Sequence, residues 1–210
     1  MTVVVADASS FPILGETLAV ELANTLYTHT SGVIDFFATG SLITAWLDEA
    51  PAASMLRPPR RMTETQTNAV RELRDAVHTI LSAETDRADR FAPSALAALN
   101  RAAARASSRV RIEWDEGAGL RSIVSYRGRL FDVFVAQLAT ECIRFLAGPG
   151  LRSVRRCAHP ECEMLFVQHH RTRRFCHDGC SHRARQARYY QASAKAGHAD
   201  PMRPSSGGAS

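Results

Sequence analysis

The chain has 210 residues, of which 45% are hydrophobic and 22% are charged, a balance typical of globular rather than disordered proteins. It has no apolar run of about eighteen residues, and its N-terminus lacks the basic segment of a secretory signal. We therefore expect a cytoplasmic protein with no membrane partner. In that reducing compartment the five cysteines favour metal binding over disulfide bonds.

The positive charge is concentrated towards the C-terminus. Residues 152–195 hold ten Lys or Arg and three acidic residues, a surplus of seven positive charges. Residues 1–151 hold fifteen Arg and seventeen acidic residues. An acidic body with a basic end predicts a polyanionic partner at that end.

The N-terminal part of the chain is predicted to be mainly helical. Leu18, Leu22 and Leu26 recur at four-residue intervals, which predicts one amphipathic helix. A second helix is predicted to follow, with Ser41 as its N-cap and Pro51 just beyond its end.

The clearest helical pattern lies over residues 63–84. Thr63 and Gln66 have the spacing of a capping box, which marks the start of this helix. Its core-facing stripe would consist of Val70, Leu73, Val77, Ile80 and Leu81. A further helix is predicted to begin at Pro93.

The pattern then changes to that of β-strands. Two β-rich runs flank "DEGAG" and predict a hairpin over 109–126. Residues 129–147 return to a helix, which Gly-Pro-Gly at 148–150 ends. Cys142 lies among apolar residues of that helix, and we expect it to be a core residue. The predicted fold of residues 1–150 is one domain, mainly α with a small β-hairpin.

Four cysteines form two pairs beyond this boundary. Cys157 and Cys162 enclose four residues, Cys176 and Cys180 enclose three, and thirteen residues separate the pairs. Zn²⁺ prefers four tetrahedral sulfur or nitrogen ligands, so the spacing predicts one structural Zn²⁺. A segment of about forty residues with few large apolar side chains needs such a metal to fold. With four thiolates no coordination position stays open for water, so we do not expect a catalytic metal.

Two alternatives stay open for these cysteines. A histidine could replace one of them in a mixed shell, the candidates being His159, His177 and His182. The four could also be incidental core thiols. If Zn²⁺ binds four thiolates, the site carries a net charge of −2, which nearby arginines are placed to offset: Arg155, Arg156, Arg173 and Arg174.

Residues 180–195 are predicted to form the last helix. At about 100° per residue, one face collects His182, Arg185, Arg188, Tyr189 and Lys195. The opposite face collects Arg183, Ala184, Ala187, Tyr190 and Ala194, and we expect that face to pack. The first face is predicted to contact phosphates, in a surface extended by Arg171, Arg173 and Arg174 of the preceding loop. A solvated helix face is the alternative.

The stretch "RCAHPECEMLFV", followed by "RRFC" and then by Cys180 and Arg183, resembles the CGNR zinc-finger family of bacterial transcription regulators. The stretches "LAVELANTL" and "DFFATGSLITAWLDEA" resemble the N-terminal domain of the same proteins, described as a putative stress-induced transcription regulator. Ser181 and His182 stand where the family name has Gly and Asn.

Arg183 matches the arginine of the family name, yet it lies on the predicted packing face. We therefore expect a structural role for it, in hydrogen bonds to backbone carbonyls of the zinc loop rather than to DNA. The module over 151–195 is expected to be small, zinc-binding and treble-clef-like, and the tail over 196–210 is expected to be disordered.

The N-terminal domain offers one candidate effector pocket. Asn24 interrupts an apolar helix stripe, and Trp46 lies on the next predicted helix. A buried amide needs partners, so Asn24 could line a pocket with Trp46 and bind a small-molecule effector. The alternative is that Asn24 pins a loop.

Together these observations predict a transcription regulator whose zinc module places a basic helix on double-stranded DNA. No Gly-rich phosphate loop, nucleophile elbow or supported carboxylate pair points to an enzyme. An RNA-binding module, with Tyr189 stacking on unpaired bases, is one alternative. An adaptor that binds an acidic protein is another. A homodimer stays open, although no heptad repeat supports a coiled coil.

Overall fold

The computed structural model describes residues 3–5, 11–29 and 32–197, and it describes side chains for 11–27 and 32–190. The helices are α1 (Leu18–Asn24), α2 (Gly40–Glu49), α3 (Glu64–Thr85), α4 (Pro93–Ala103), α5 (Leu130–Leu146) and α6 (Asp178–Gly197). The strands are β1 (Val3–Val5), β2 (Leu26–His29), β3 (Gly32–Asp35), β4 (Ser107–Asp115), β5 (Gly119–Arg127), β6 (Val154–Arg156) and β7 (Leu165–Val167). Short 3₁₀ helices occupy Pro51–Ala53 and Pro149–Ser153. Within the described ranges, no helix combines the length and hydropathy that a membrane crossing requires.

The first predicted helix is only half right. Helix α1 ends at Asn24, and Leu26 begins strand β2 instead of continuing the helical stripe. The hydroxyl of Thr25 donates to the carbonyl of Leu22 at 2.7 Å. A side-chain bond of this kind competes with the backbone bonds that would continue the helix. The following Leu-Tyr-Thr-His run has aromatic and β-branched residues that suit a strand. Strand β3 lies between β1 and β2, parallel to β1 and antiparallel to β2, and the sequence patterns did not predict this sheet.

The predicted start of α2 is wrong, and the predicted start of α3 is confirmed. The N-cap of α2 is Thr39, whose hydroxyl accepts from the Leu42 amide at 3.3 Å, so the assignment to Ser41 is wrong. Helix α3 begins with the predicted capping box between Thr63 and Gln66. All five residues of its predicted stripe are buried.

The main core lies between α1, α2, α3, α4 and α5, and Cys142 of α5 is fully buried in it, as predicted. The core also includes three residues from beyond the predicted domain boundary: Val154, Leu165 and Val167. The β6–β7 hairpin that carries them therefore packs directly on the helices. This packing places the cysteine cluster against the N-terminal part of the chain.

The predicted hairpin is present as β4 and β5, with Asp115 opposite Gly119 at its end. The Asp115 carboxylate accepts from the amides of Gly117 and Ala118, and these bonds lower the pKa of that carboxyl group. Gly119 has φ +73°, a conformation that disfavours other residues at this turn.

Candidate zinc centre and nucleic-acid surface

Two backbone hydrogen bonds position the first cysteine pair. Strands β6 and β7 pair antiparallel, and the segment between them carries Cys157 and Cys162. The Cys157 amide donates to the Met164 carbonyl at 2.9 Å, and the Cys162 amide donates to the His159 carbonyl at 3.0 Å. These bonds fold the segment into a tight knuckle that directs both thiols to one side.

The second pair comes from the entry of α6. Cys176 precedes this helix and Cys180 lies in its first turn. A bond from the Ala158 amide to the Arg174 carbonyl, 2.9 Å long, joins the knuckle to the loop before the helix. The four-cysteine cluster with a hairpin and a helix is the predicted architecture of this module.

The four sulfur atoms have the spacing of a zinc shell. All four lie within 4.8 Å of one another. The distances from the Cys176 sulfur to those of Cys162 and Cys180 are both 3.7 Å. A tetrahedral shell with Zn–S bonds of about 2.3 Å puts its sulfurs about 3.8 Å apart, whereas a disulfide would bring two of them to about 2.05 Å. The residues therefore fit one Zn²⁺ held by four thiolates.

Electrostatics within the cluster favour a cation once the thiols are ionised. Hydrogen bonds from Cys162 and Cys176 lower the pKa of the Cys157 thiol. The Cys157 group in turn raises the pKa of Cys162 to about 12 and raises that of Cys176. Buried thiols this close cannot all lose their protons unless a positive charge compensates, and bound Zn²⁺ supplies that charge.

The histidine alternatives are not favoured by the geometry. The Nδ1 atom of His159 accepts from the Glu161 amide at 3.2 Å, and the Nδ1 atom of His177 accepts from the Gly179 amide at 3.0 Å. His177 also brings its Nε2 within 3.5 Å of the Cys180 sulfur, beside the shell. The side chain of His182 is exposed.

Arg183 contacts a ligand sulfur directly. Its guanidinium donates to the Cys180 sulfur at 3.1 Å, and this bond raises the pKa of Arg183. The contact differs from the predicted bonds to backbone carbonyls. Charge-assisted donation to a thiolate offsets part of the negative charge of the site and keeps the helix start against it.

Arg173 makes the carbonyl bonds that were expected of Arg183. Its guanidinium donates to the carbonyls of Val167 at 3.1 Å, Phe175 at 3.3 Å and Cys176 at 2.7 Å. It also pairs with Glu16 at 2.8 Å. These donors are engaged inside the chain, which gives Arg173 a structural role, and its contact with nucleic acid stays a prediction.

The other arginines expected to offset the zinc charge act elsewhere. Arg156 pairs with Glu163 and, at 3.3 Å, with Asp86 of the loop after α3. Arg155 donates to two nearby carbonyls at 2.7 Å. Among the described residues, the guanidinium that reaches a ligand sulfur belongs to Arg183.

Asn24 holds strand β7 instead of lining a pocket. Its amide nitrogen donates to the Leu165 carbonyl, and its amide oxygen accepts from the Leu165 amide, both at 2.9 Å. Trp46 is 1% exposed and packs edge-on against Phe37 at 5.3 Å. Since Asn24 is itself 3% exposed, the pair does not form the predicted effector pocket, and the alternative of a pinned segment describes Asn24.

Glu16 was not singled out from the sequence. One of its carboxylate oxygens accepts from the Val167 amide at 3.0 Å, and the other pairs with Arg173 at 2.8 Å. The sequence signal that could have identified Glu16 is its position as an acidic residue just before the apolar helix α1. The side chains of Glu16 and Asn24 bind backbone groups of β7 and so attach the hairpin of the zinc module to the two ends of the α1 segment.

Helix α6 carries the predicted basic surface into solvent. Arg171, Arg174, His182, Arg185, Arg188 and Tyr189 are all exposed, whereas the side chain of Lys195 lies outside the described residues. Residues 185–190 are exposed on every side of the helix. The predicted packing face is therefore wrong at Ala187 and at Tyr190, which is 70% exposed. Ala184 and Ala187 instead line an open cleft of about 450 Å³ between α6 and the knuckle.

Comparison with known families assigns both parts of the chain. Residues 16–149 match a family model described as "Putative stress-induced transcription regulator". Residues 153–192 match a model described as "CGNR zinc finger". A comparison with curated proteins gave no match.

Proposed function

The chain belongs to the family of putative stress-induced transcription regulators that carry a C-terminal CGNR zinc finger, and on this premise we propose that it binds duplex DNA through helix α6. The exposure of α6 carries the proposal. The helix has 20 residues and spans about 30 Å, and its residues 185–190 are all exposed. A basic helix that protrudes in this way fits the major groove, which is about 12 Å wide.

The zinc cluster would act as the anchor of this helix. Cys176 and Cys180 fix its first turn, and Arg183 ties that turn to a ligand sulfur. The entropic cost of ordering the helix start is therefore met when the protein folds, and binding to DNA does not incur it. In this proposal the zinc takes no part in chemistry, and the protein is not an enzyme.

The exposed arginines would supply most of the affinity. Arg185 and Arg188 lie on the protruding part of α6, and Arg171 and Arg174 flank its base. Phosphate contacts by such residues give affinity and register, whereas sequence is distinguished by contacts to base edges. The exposed His182 and Tyr189 are candidates for those contacts.

The salt dependence of duplex binding tests these contacts. We expect Arg185→Ala to weaken binding to all duplexes and to reduce the slope of log K against log salt by about 1. Gln186→Ala is the matched control, because Gln186 is an exposed, uncharged neighbour on the same helix. An unchanged slope for both Arg185→Ala and Arg188→Ala would remove α6 from the interface.

Sequence specificity is tested by selecting bound fragments from a random duplex pool with zinc-loaded protein at about 0.15 M salt. A recovered motif is expected for a regulator. A pool without enrichment would contradict specific DNA binding and would leave the basic face as a non-specific one.

RNA binding is the second candidate function. Tyr189 and Tyr190 are 71% and 70% exposed, and their ring centroids lie 6.0 Å apart. Exposed aromatic rings on a basic element suit stacking on unpaired bases. Competition between duplex DNA and single-stranded RNA of equal length separates the two, because displacement of the duplex by the RNA would favour this candidate.

The cleft that suits a small-molecule effector lies away from Asn24. A cleft of about 660 Å³ lies between α1, the Pro51–Ala53 turn, β5 and α5, with Leu56 and Phe145 among its apolar lining. Thr17 also lines it, next in sequence to Glu16, which holds the zinc module. A thermal-shift screen of small, partly apolar compounds would test the cleft, with loss of any shift in Met55→Trp, a change at an exposed residue of its lining, as the expected outcome.

A further inference from the structure

The β4–β5 hairpin exposes an apolar face. Cross-strand pairs place Val110 beside Val124, Ile112 beside Ser122 and Trp114 beside Leu120, all on one face of the hairpin. The exposed fractions are 66% for Val110, 70% for Ile112, 71% for Trp114 and 68% for Leu120. A contiguous exposed group of this kind is uncommon on a monomer and marks an interaction surface.

The outer edge of β4 is also open. In the part of the chain that the structure describes, the sheet consists of β4 and β5, so one edge of β4 has no neighbouring strand. The strand is nine residues long and contains neither Pro nor Gly. Proteins usually blunt such edges with proline, bulges, very short strands or charged side chains, since an open edge is a template for strand addition, and of these devices β4 has the charges.

The sequence of β4 is complementary to itself when it is reversed. Residues 109–115 read "RVRIEWD", with two arginines before Ile112, two acids after it, and apolar residues at the alternate positions. In an antiparallel pair of identical strands centred on Ile112, residues equidistant from the centre lie opposite one another. Arg111 then faces Glu113 of the other copy, and Arg109 faces Asp115.

The apolar side chains also match in this antiparallel pair of strands. Val110 faces Trp114 of the second copy, and Ile112 faces Ile112. Since cross-strand neighbours share a face, the charged pairs collect on one side of the sheet and the apolar pairs on the other. Each charged position over 109–115 is therefore opposite an opposite charge. Within one chain Arg111 already pairs with Glu113 at 2.5 Å and Asp115 with Arg121 at 3.3 Å, so the second copy would extend these pairs.

We propose that two copies of this chain join edge to edge along β4, antiparallel about a two-fold axis at Ile112, in one four-stranded sheet. The closed symmetry accounts for the self-complementary pattern, which a different protein partner would not require. A two-stranded hairpin is marginal in water, and additional strands stabilise it.

The mass of the full chain in solution is the first test. We expect twice the 23.0 kDa of one chain, and we expect Ile112→Arg to return the mass to that of one chain, because it places two like charges at the axis. Ser122→Arg is the matched control, since Ser122 lies beside Ile112 on the same face but on β5. A wild-type protein that stays monomeric at tens of micromolar, or an equal effect of both variants, would overturn the proposal.

A charge exchange tests the register. Glu113→Arg brings two arginines together across the interface and should dissociate the dimer. Adding Arg111→Glu restores the opposite charges and should restore the dimer. If the double variant is no more dimeric than the single one while its circular dichroism is unchanged, the register is wrong.

Cysteine substitution locates the axis. Ile112→Cys brings two thiols face to face and should form an intermolecular disulfide in air in zinc-loaded protein. Val110→Cys should not form this disulfide, because the two Cα atoms would lie about 13 Å apart along the strands. A disulfide requires a Cα separation below about 7 Å. Equal cross-linking of both variants would contradict an axis at Ile112. None of these measurements involves DNA, so the dimer and the DNA-binding function can fail separately.

Discussion

Asn24 and Leu165 exchange two hydrogen bonds of 2.9 Å each, although 141 positions separate them in the chain. The side-chain amide of Asn24 thus acts towards β7 as the backbone of a neighbouring strand would. Because Leu165 is 1% exposed, neither of its backbone groups has water as an alternative partner.

Asn24→Ala should lower the free energy of unfolding by about 2–5 kcal/mol, because it leaves a buried amide and a buried carbonyl without partners. Chemical denaturation measures this. Asn100→Ala, at an exposed position of α4, is the control and should change stability by less than about 0.5 kcal/mol. A loss that is equally small for Asn24→Ala would show that the two bonds contribute little.

Arg173→Ala should destabilise the protein, while Arg174→Ala should not. Arg173 lies 4.7 Å above the Phe166 ring, bonds three carbonyls and pairs with Glu16, whose side chain is 2% exposed. Its loss leaves a buried carboxylate unpaired, which costs about 3–5 kcal/mol. Arg174 is exposed, so its removal should weaken DNA binding with an unchanged unfolding transition. The reverse pattern would contradict the assignment of roles.

Cys176→Ser should abolish stoichiometric zinc binding. Wild-type protein dialysed against Zn²⁺ should retain one ion per chain, because four thiolates are needed to close the tetrahedral shell. Cys142→Ala is the control, since Cys142 is buried in the main core away from the cluster and its variant should still hold one ion. Elemental analysis provides the measurement, and a zinc-free wild-type protein would contradict the site.

His78 should make the protein less stable in mild acid. Burial on α3, and secondarily the charge of Arg156, lower the pKa of His78 below its ordinary 6.5. In the unfolded chain the imidazole takes up a proton near pH 6.5, whereas in the folded chain it does so only at lower pH. The unfolded state therefore binds more protons in this window, and stability falls as the pH drops from 7 towards the lowered value.

Denaturation curves at pH 7 and pH 5.5 measure this difference. His78→Gln should reduce the loss of stability between them, whereas Thr79→Gln, at the exposed next position, should not. A pH dependence that is the same in all three proteins would exclude His78 as its source.

The zinc ligands could be predicted from the sequence because the chemistry that identifies them is local. Two short Cys pairs are recognisable by spacing, and each pair is shaped by backbone bonds within a few residues. The long helix α3 could be predicted for the same reason, since its capping box and its stripe lie within one segment.

The roles of the arginines could not be predicted in this way. Arg173 and Arg183 each lie three residues from a zinc-ligand cysteine. What distinguishes Arg173 is its pairing with Glu16, which is far away in the chain and close in space. The function of Asn24 depends in the same way on a strand 141 residues further on. Strand β2 was missed because its leucine continues the spacing of the preceding helix.

The contribution of the β6–β7 hairpin to the main core has a practical consequence. A fragment ending at Gly150 would lack Val154, Leu165 and Val167, and it would leave the Asn24 amide without a partner for its buried groups. We therefore expect the two matched segments to be inseparable: an N-terminal fragment should aggregate or stay partly unfolded. Removing the zinc from the intact chain should lower the melting temperature of the helical core as well, in a single transition.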